Sequence, residues 1–82
     1  MRDLVLLFIR DHLSKGNVIT TQDLYKRIHS LFPKVCQDLG FTNSAPIEPQ
    51  WKNGIRRGLQ DLREKGLIKH VGLPKSGEWQ RL

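Results

Sequence analysis

PQWKNGIRRGLQDLREKG, residues 49–66, is the stretch on which the fold turns. At 100° per residue, Trp51, Ile55, Leu59 and Leu62 fall within about 80° of one another, an apolar stripe that a helix has to bury. Pro49 suits a first helical position, and Gly66 stands where a helix commonly stops. Gln50, Asn53, Arg57, Gln60 and Glu64 lie opposite the stripe, with Lys52 and Arg56 on one flank. Gly54 and Gly58 share the other flank, and each costs roughly 1 kcal/mol relative to alanine in a helix interior. Two glycines on one flank let another backbone come close. One reading is a tight crossing with the second helix of the chain; the other is a phosphate backbone approaching there.

Upstream, Asp3 can cap a first helix whose apolar positions are Leu4, Leu7, Phe8, Ile9 and Leu13, ended by Lys15 and Gly16. Asn17 to Ile19 is short and β-branched and reads as a brief strand. Thr20 and Thr21 offer caps for a second helix, with Asp23 in its first turn and apolar positions at Leu24, Ile28, Leu31 and Phe32. After Pro33, residues 34–40 read as a short helix closed by Gly40, and 41–49 as a loop. Downstream of the third main helix, 67–71 and 78–82 read as strands joined by the turn-rich tip 72–77. Helix, short strand, helix, helix, hairpin is the order of a winged helix-turn-helix domain. The expectation is therefore an α+β fold, mainly α, with three helices and a small β-hairpin wing, as a single domain over residues 1–82.

The composition points to a polyanionic partner. The chain has 82 residues and carries 14 Lys and Arg against 8 Asp and Glu, for a net charge of +6. Residues 1–45 hold 6 basic and 4 acidic groups and residues 46–82 hold 8 and 4, so the excess leans toward the half containing the quoted helix. LVLLFI (4–9), flanked by charge and lacking a small-residue cleavage site, reads as neither a signal peptide nor an anchor, and no membrane contact is expected. The single cysteine, Cys36, excludes an internal disulfide, fits a reducing cytosol and reads as a small buried residue.

The polar face of the third helix has the chemistry to read bases. A helix fits the major groove, where Asn and Gln pair with the N6/N7 edge of adenine and Arg with O6/N7 of guanine. Gln50, Asn53, Arg56 and Arg57 occupy the first half of the helix, the part that contacts bases in helix-turn-helix proteins. The plainer alternative is a solvated helix face. At the wing tip, Lys75 and Ser76 can reach phosphate. Trp79 reads as a core plug under the wing, and Trp51 as mostly core, with a lesser option of contact in the groove.

Signals of catalysis are missing. His12, His29 and His70 show no metal-ligand spacing with Cys36, no glycine-rich phosphate loop is present, and the carboxylates are dispersed. A binding module without its own catalytic site, metal or cofactor is expected.

WKNGIRRGLQDLREKGLI (51–68) followed by SGEWQRL (76–82) resembles the winged-helix module of DpnI-like, adenine-methylation-dependent restriction endonucleases. The shared pattern is an apolar residue and Lys at 51 and 52, Ile55-Arg56, Leu59-Gln60, Leu62-Arg63, Lys65, Ile68, Gly77, an aromatic at 79, and a basic residue with Leu at 81 and 82. Thr21, Asp23, Leu24 and Tyr25 extend it loosely into the second helix. The stretch from Phe32 to Pro49 departs from the pattern by being longer. The resemblance implies a reader of double-stranded GATC carrying N6-methyladenine, fused to or associated with a nuclease domain, in the cytoplasm at a prokaryotic nucleoid. Starting at Met1, the module would stand at an N-terminus or be a cut-out domain. Trp51, Lys52, Arg56 and Gln60 are the matched helix positions; Asn53 and Arg57 come from face geometry. Two other readings stay open: a winged-helix transcription regulator with a different site, and a winged helix used for protein contacts.

Overall fold

The computed structural model describes residues 1–43, 45, 47–72 and 77–82. Its elements are α1 (Arg2–His12), β1 (Val18–Thr20), α2 (Thr21–Leu31), α3 (Pro33–Asp38), α4 (Gln50–Glu64), β2 (Ile68–Val71) and β3 (Glu78–Arg81). The chain is α+β, mainly helical, with a three-stranded antiparallel sheet in the order β1-β3-β2. The short helix at 34–40 is present as α3, so four helices are described where three were expected. The brief strand lies one residue later than expected and is joined to the hairpin. Val18 to Thr20 pair with Gln80 to Glu78, and Ile68 to Val71 pair with Arg81 to Glu78.

Local chemistry explains most helix ends. Thr20 caps α2 by accepting a hydrogen bond from the Asp23 amide at 3.1 Å. Thr21 has a different task. Its amide and hydroxyl both donate to the Gly77 carbonyl, at 2.7 and 3.0 Å, and its hydroxyl accepts from Trp79 Nε1 at 3.0 Å. One residue thereby ties the start of α2 to the start of β3 and satisfies the indole of a buried tryptophan. α4 ends in a Schellman motif: the Gly66 amide donates to Arg63 and the Leu67 amide to Leu62, each at 3.0 Å, with Gly66 at φ +76°. At the first helix two expectations change. Asp3 lies in the first turn behind an N-cap at Met1, and α1 stops at His12, with Leu13 extended; Gly16, at φ +87°, instead turns the chain into β1.

One core gathers the inward faces. α4 contributes Trp51, Ile55, Leu59 and Leu62, the stripe read from the sequence. α1 contributes Val5, Phe8 and Ile9, with Leu13 just beyond its end, while Leu7 turns outward. α2 contributes Leu24, Tyr25 and Ile28; Leu31 and Phe32, expected to be inward, are exposed because α2 ends there. Ile19, Ile68 and Trp79 close the sheet side, and Cys36 is the buried residue of α3. Burying each large aliphatic side chain contributes on the order of 1.5–3 kcal/mol before entropy is counted.

The two glycines of α4 sit against α1, not against α2. A Cβ on Gly58 would lie 3.1 Å from the Arg2 Cα and 3.4 Å from a Val5 methyl carbon; one on Gly54 would lie 3.1 Å from the Met1 Cβ. The close approach anticipated from sequence is real, and its partner is the start of the first helix. Residues separated by half the chain meet there, which helix periodicity alone does not specify.

Candidate nucleic-acid interface

With α1 against one flank and α2 against the other, α4 leaves one polar strip outward. Gln50, Arg57, Gln60 and Glu64 are exposed on it and Asn53 is half-buried. Among the described residues, the side chains of Asn53, Arg57 and Gln60 have no hydrogen-bond or ion-pair partner. They are free to meet a ligand without first breaking a contact. Gln50 is engaged: its Nε2 donates to the Phe41 carbonyl at 3.0 Å and holds the loop end to the helix start.

Arg56 is also engaged. Its two terminal nitrogens pair with the two carboxylate oxygens of Glu48, one of the contacts at 3.2 Å, and Nη1 also donates to the Tyr25 hydroxyl at 3.2 Å. A bidentate guanidinium–carboxylate pair is among the stronger surface contacts because two parallel bonds fix its orientation. The hydrogen bond from Arg56 holds the Glu48 carboxyl below its ordinary range, and that same bond raises the guanidinium pKa further, against the opposing effect of burial. Arg56 therefore links α4, the incoming loop and α2. Arg56, one of the positions matched by the family resemblance, is held by these intramolecular contacts at the start of α4.

Trp51 lies in the core and meets Tyr25 edge-on, with ring centroids 5.7 Å apart, and His29 at 5.3 Å. Lys52 Nζ stands 5.5 Å from the Tyr25 ring centre and 5.6 Å from that of Trp51, so the ammonium lies over both aromatic faces in a cation–π contact. Gln22, Tyr25, Lys26, His29, Trp51 and Lys52 line a shallow cleft of about 270 Å³ between α2 and the start of α4. Gln22 and Lys26 add exposed polar and cationic groups to this edge. These two lie outside the residues expected from sequence, which are on α4 and the wing. The signal for Lys26 was its place opposite the Leu24–Ile28 stripe of α2.

Lys75 and Ser76 lie outside the described residues. The hairpin flanks are described, and β3 is held to α2 by the Thr21–Gly77 and Thr21–Trp79 bonds. Trp79 is buried, with His70 edge-on at 5.0 Å. Among the described residues no group of three or more His, Cys, Asp or Glu side chains is placed to hold a metal ion, and no helix is long and apolar enough to cross a membrane. Burial pushes the Cys36 thiol pKa up, away from the reactive thiolate.

The fold and the site define a small, mainly helical α+β chain with a three-stranded sheet and a polar helix face on which Asn53, Arg57 and Gln60 have no partner among the described residues. No family model, curated protein or solved structure matches the chain.

Proposed function

We propose that this chain is a winged-helix DNA-binding module that lays the outward face of α4 in the major groove. Asn53, Arg57 and Gln60 read base edges there, Lys52 and Lys26 lie toward phosphates at the groove edge, and the β2–β3 hairpin serves as the wing. The observation that carries this reading is the free state of Asn53, Arg57 and Gln60 on a helix whose other sides are occupied. The net charge of +6 supports a polyanionic ligand. The element order and the β1-β3-β2 sheet support the winged-helix assignment, because the hairpin directly follows the recognition helix and is anchored through β1.

The target proposed is GATC with N6-methyladenine, the module serving as the specificity element of a modification-dependent restriction endonuclease. Support for the target comes from the sequence resemblance at 51–82, most of whose matched positions belong to α4, β2 and β3. N6-methyladenine retains one N6 proton and adds a methyl group in the major groove, so hydrogen bonding and apolar contact can be combined. The methyl contact adds about 1 kcal/mol, a severalfold preference for one isolated module.

The test is a titration at fixed moderate salt with fully adenine-methylated GATC, unmethylated GATC and a scrambled duplex. The proposal expects severalfold tighter binding to the methylated duplex. Equal binding to all three removes the methyl-reading claim, and no binding removes the DNA-binding claim. A transcription regulator for another site shares the geometry and would show no preference for the methylated duplex.

A further inference from the structure

Lys52 and Arg56 lie one turn apart on α4, and both touch the same residue of α2, Tyr25. Tyr25 is buried, and its two ends meet different cations. Its hydroxyl accepts a hydrogen bond from Arg56 Nη1 at 3.2 Å, and its ring lies against Lys52 Nζ, 5.5 Å from the ring centre. Trp51 stands edge-on to Tyr25 and offers a second ring to the same ammonium at 5.6 Å.

Lys52 is left to these rings because the nearby acid is taken. Glu48 is a carboxylate whose pKa is lowered in part by the charge of Lys52, so the two groups feel one another. Both Glu48 oxygens are nevertheless occupied by Arg56. Among the described residues Lys52 has no ion-pair or hydrogen-bond partner, and its contacts are the two rings. A ring face attracts an ammonium while leaving it N–H donors for an anion. Lys26 and Gln22 line the same cleft from α2, so an anion entering it meets donors from both helices.

We infer that Tyr25 is a positioning residue for the phosphate contact of Lys52: its ring holds the ammonium at the cleft between α2 and α4, unpaired and ready for a DNA phosphate. The inference rests on the DNA-binding reading above and adds to it a residue that itself touches no DNA. A free lysine side chain loses rotamer freedom when a phosphate fixes it. One held by two rings has given up part of that freedom beforehand, so binding orders it less.

A double-mutant cycle on Tyr25→Leu and Lys52→Ala, read by duplex titration at fixed low salt, tests it. Lys52→Ala is expected to weaken binding about 5- to 10-fold and to lower the salt slope by about one. Tyr25→Leu is expected to weaken binding about 3-fold with Lys52 present, and less than about 1.5-fold in the Lys52→Ala background. Tyr25→Phe keeps the ring, and the Glu48 pair still holds Arg56, so its affinity stays within about 2-fold of the wild type. An equal loss from Tyr25→Leu in both backgrounds makes Tyr25 a structural residue and overturns the inference alone. A wild type that binds no duplex removes the DNA reading, and the inference with it. If Tyr25→Leu does not fold, the Lys52 ε-methylene protons decide: they are expected upfield of their ordinary position in the free wild type and in Tyr25→Phe, and to stay there with duplex bound. Ordinary shifts in the free wild type overturn the inference.

Discussion

Arg56 grips both carboxylate oxygens of Glu48 across Pro49, and with its third contact it reaches the Tyr25 hydroxyl. This pair joins the last turn of the loop to the second turn of α4. It fixes where α4 begins relative to the loop and to α2. Arg56→Ala is expected to lower Tm more than Glu48→Ala, because it also removes the bond to Tyr25. On DNA, Arg56→Ala weakens every duplex to a similar degree. A base-reading Arg56 would instead relax the preference among duplexes, and titrating the variant with matched and scrambled sites distinguishes the two.

The same pair sets an acid limb. Glu48 has a folded pKa depressed below its ordinary value of 4.5. Its contribution to stability is therefore complete above that ordinary range and is lost as pH falls through the lowered value. Thermal melts of the wild type should hold steady from neutral pH down to about 5 and then decline. In Glu48→Gln this part of the decline is absent and Tm at neutral pH is lower. Identical acid limbs in the two proteins would show that the pair does not stabilise the fold.

The glycines of α4 separate under substitution. Gly58→Ala brings a methyl against the Arg2 backbone and Val5. Overpacking of about 1–3 kcal/mol outweighs the gain of roughly 1 kcal/mol in helix propensity. A fall in Tm of several degrees is expected. Gly54→Ala meets the Met1 Cβ at 3.1 Å and Cγ at 3.2 Å; rotation moves the Cγ but not the Cβ, so a small backbone shift offsets the gain of roughly 1 kcal/mol in propensity and the outcome is near neutral. A Gly58→Ala variant as stable as the wild type or more so would mean that α1 does not lie over Gly58.

Much of this was legible in the sequence. The Trp51–Ile55–Leu59–Leu62 stripe, the Thr20 cap, the Gly66 stop and the burial of Trp79 and Cys36 follow from periodicity and local chemistry, and the structure has each of them. What escaped was long-range. The helix lying over Gly54 and Gly58 depends on how α1 returns across the core. The Glu48–Arg56 pair spans a proline and lies outside the i, i+4 spacing by which helical partners are recognised. Leu31 and Phe32 fit the apolar period of α2, yet the helix ends there, so the period continues into solvent.

Thr21 anchors the hairpin. Thr21→Val keeps the shape, removes the donor to Gly77 and leaves Trp79 Nε1 without its partner. A cost of about 1–3 kcal/mol is expected, with faster amide exchange at Trp79 and Gln80 than in α4. Uniform loss of protection across the whole chain would mean that Thr21 supports the global fold and not the hairpin in particular.

On DNA, the outward residues should divide by role. Asn53→Ala and Arg57→Ala reduce discrimination between cognate and scrambled duplexes by about 1–3 kcal/mol each. Lys75→Ala lowers affinity for all duplexes alike and reduces the salt slope by about one. If the three variants behave alike, the outward strip of α4 is not the reading surface.

The central claim is that this strip enters the groove. The direct measurement is an NMR titration of the isotope-labelled chain with a methylated GATC duplex, following the side-chain amides of Asn53 and Gln60 and the guanidinium of Arg57. The account expects these three to shift and broaden first, with Arg56 and the core side of α4 moving little. Perturbations confined to residues 31–47, or absent from α4, would contradict it.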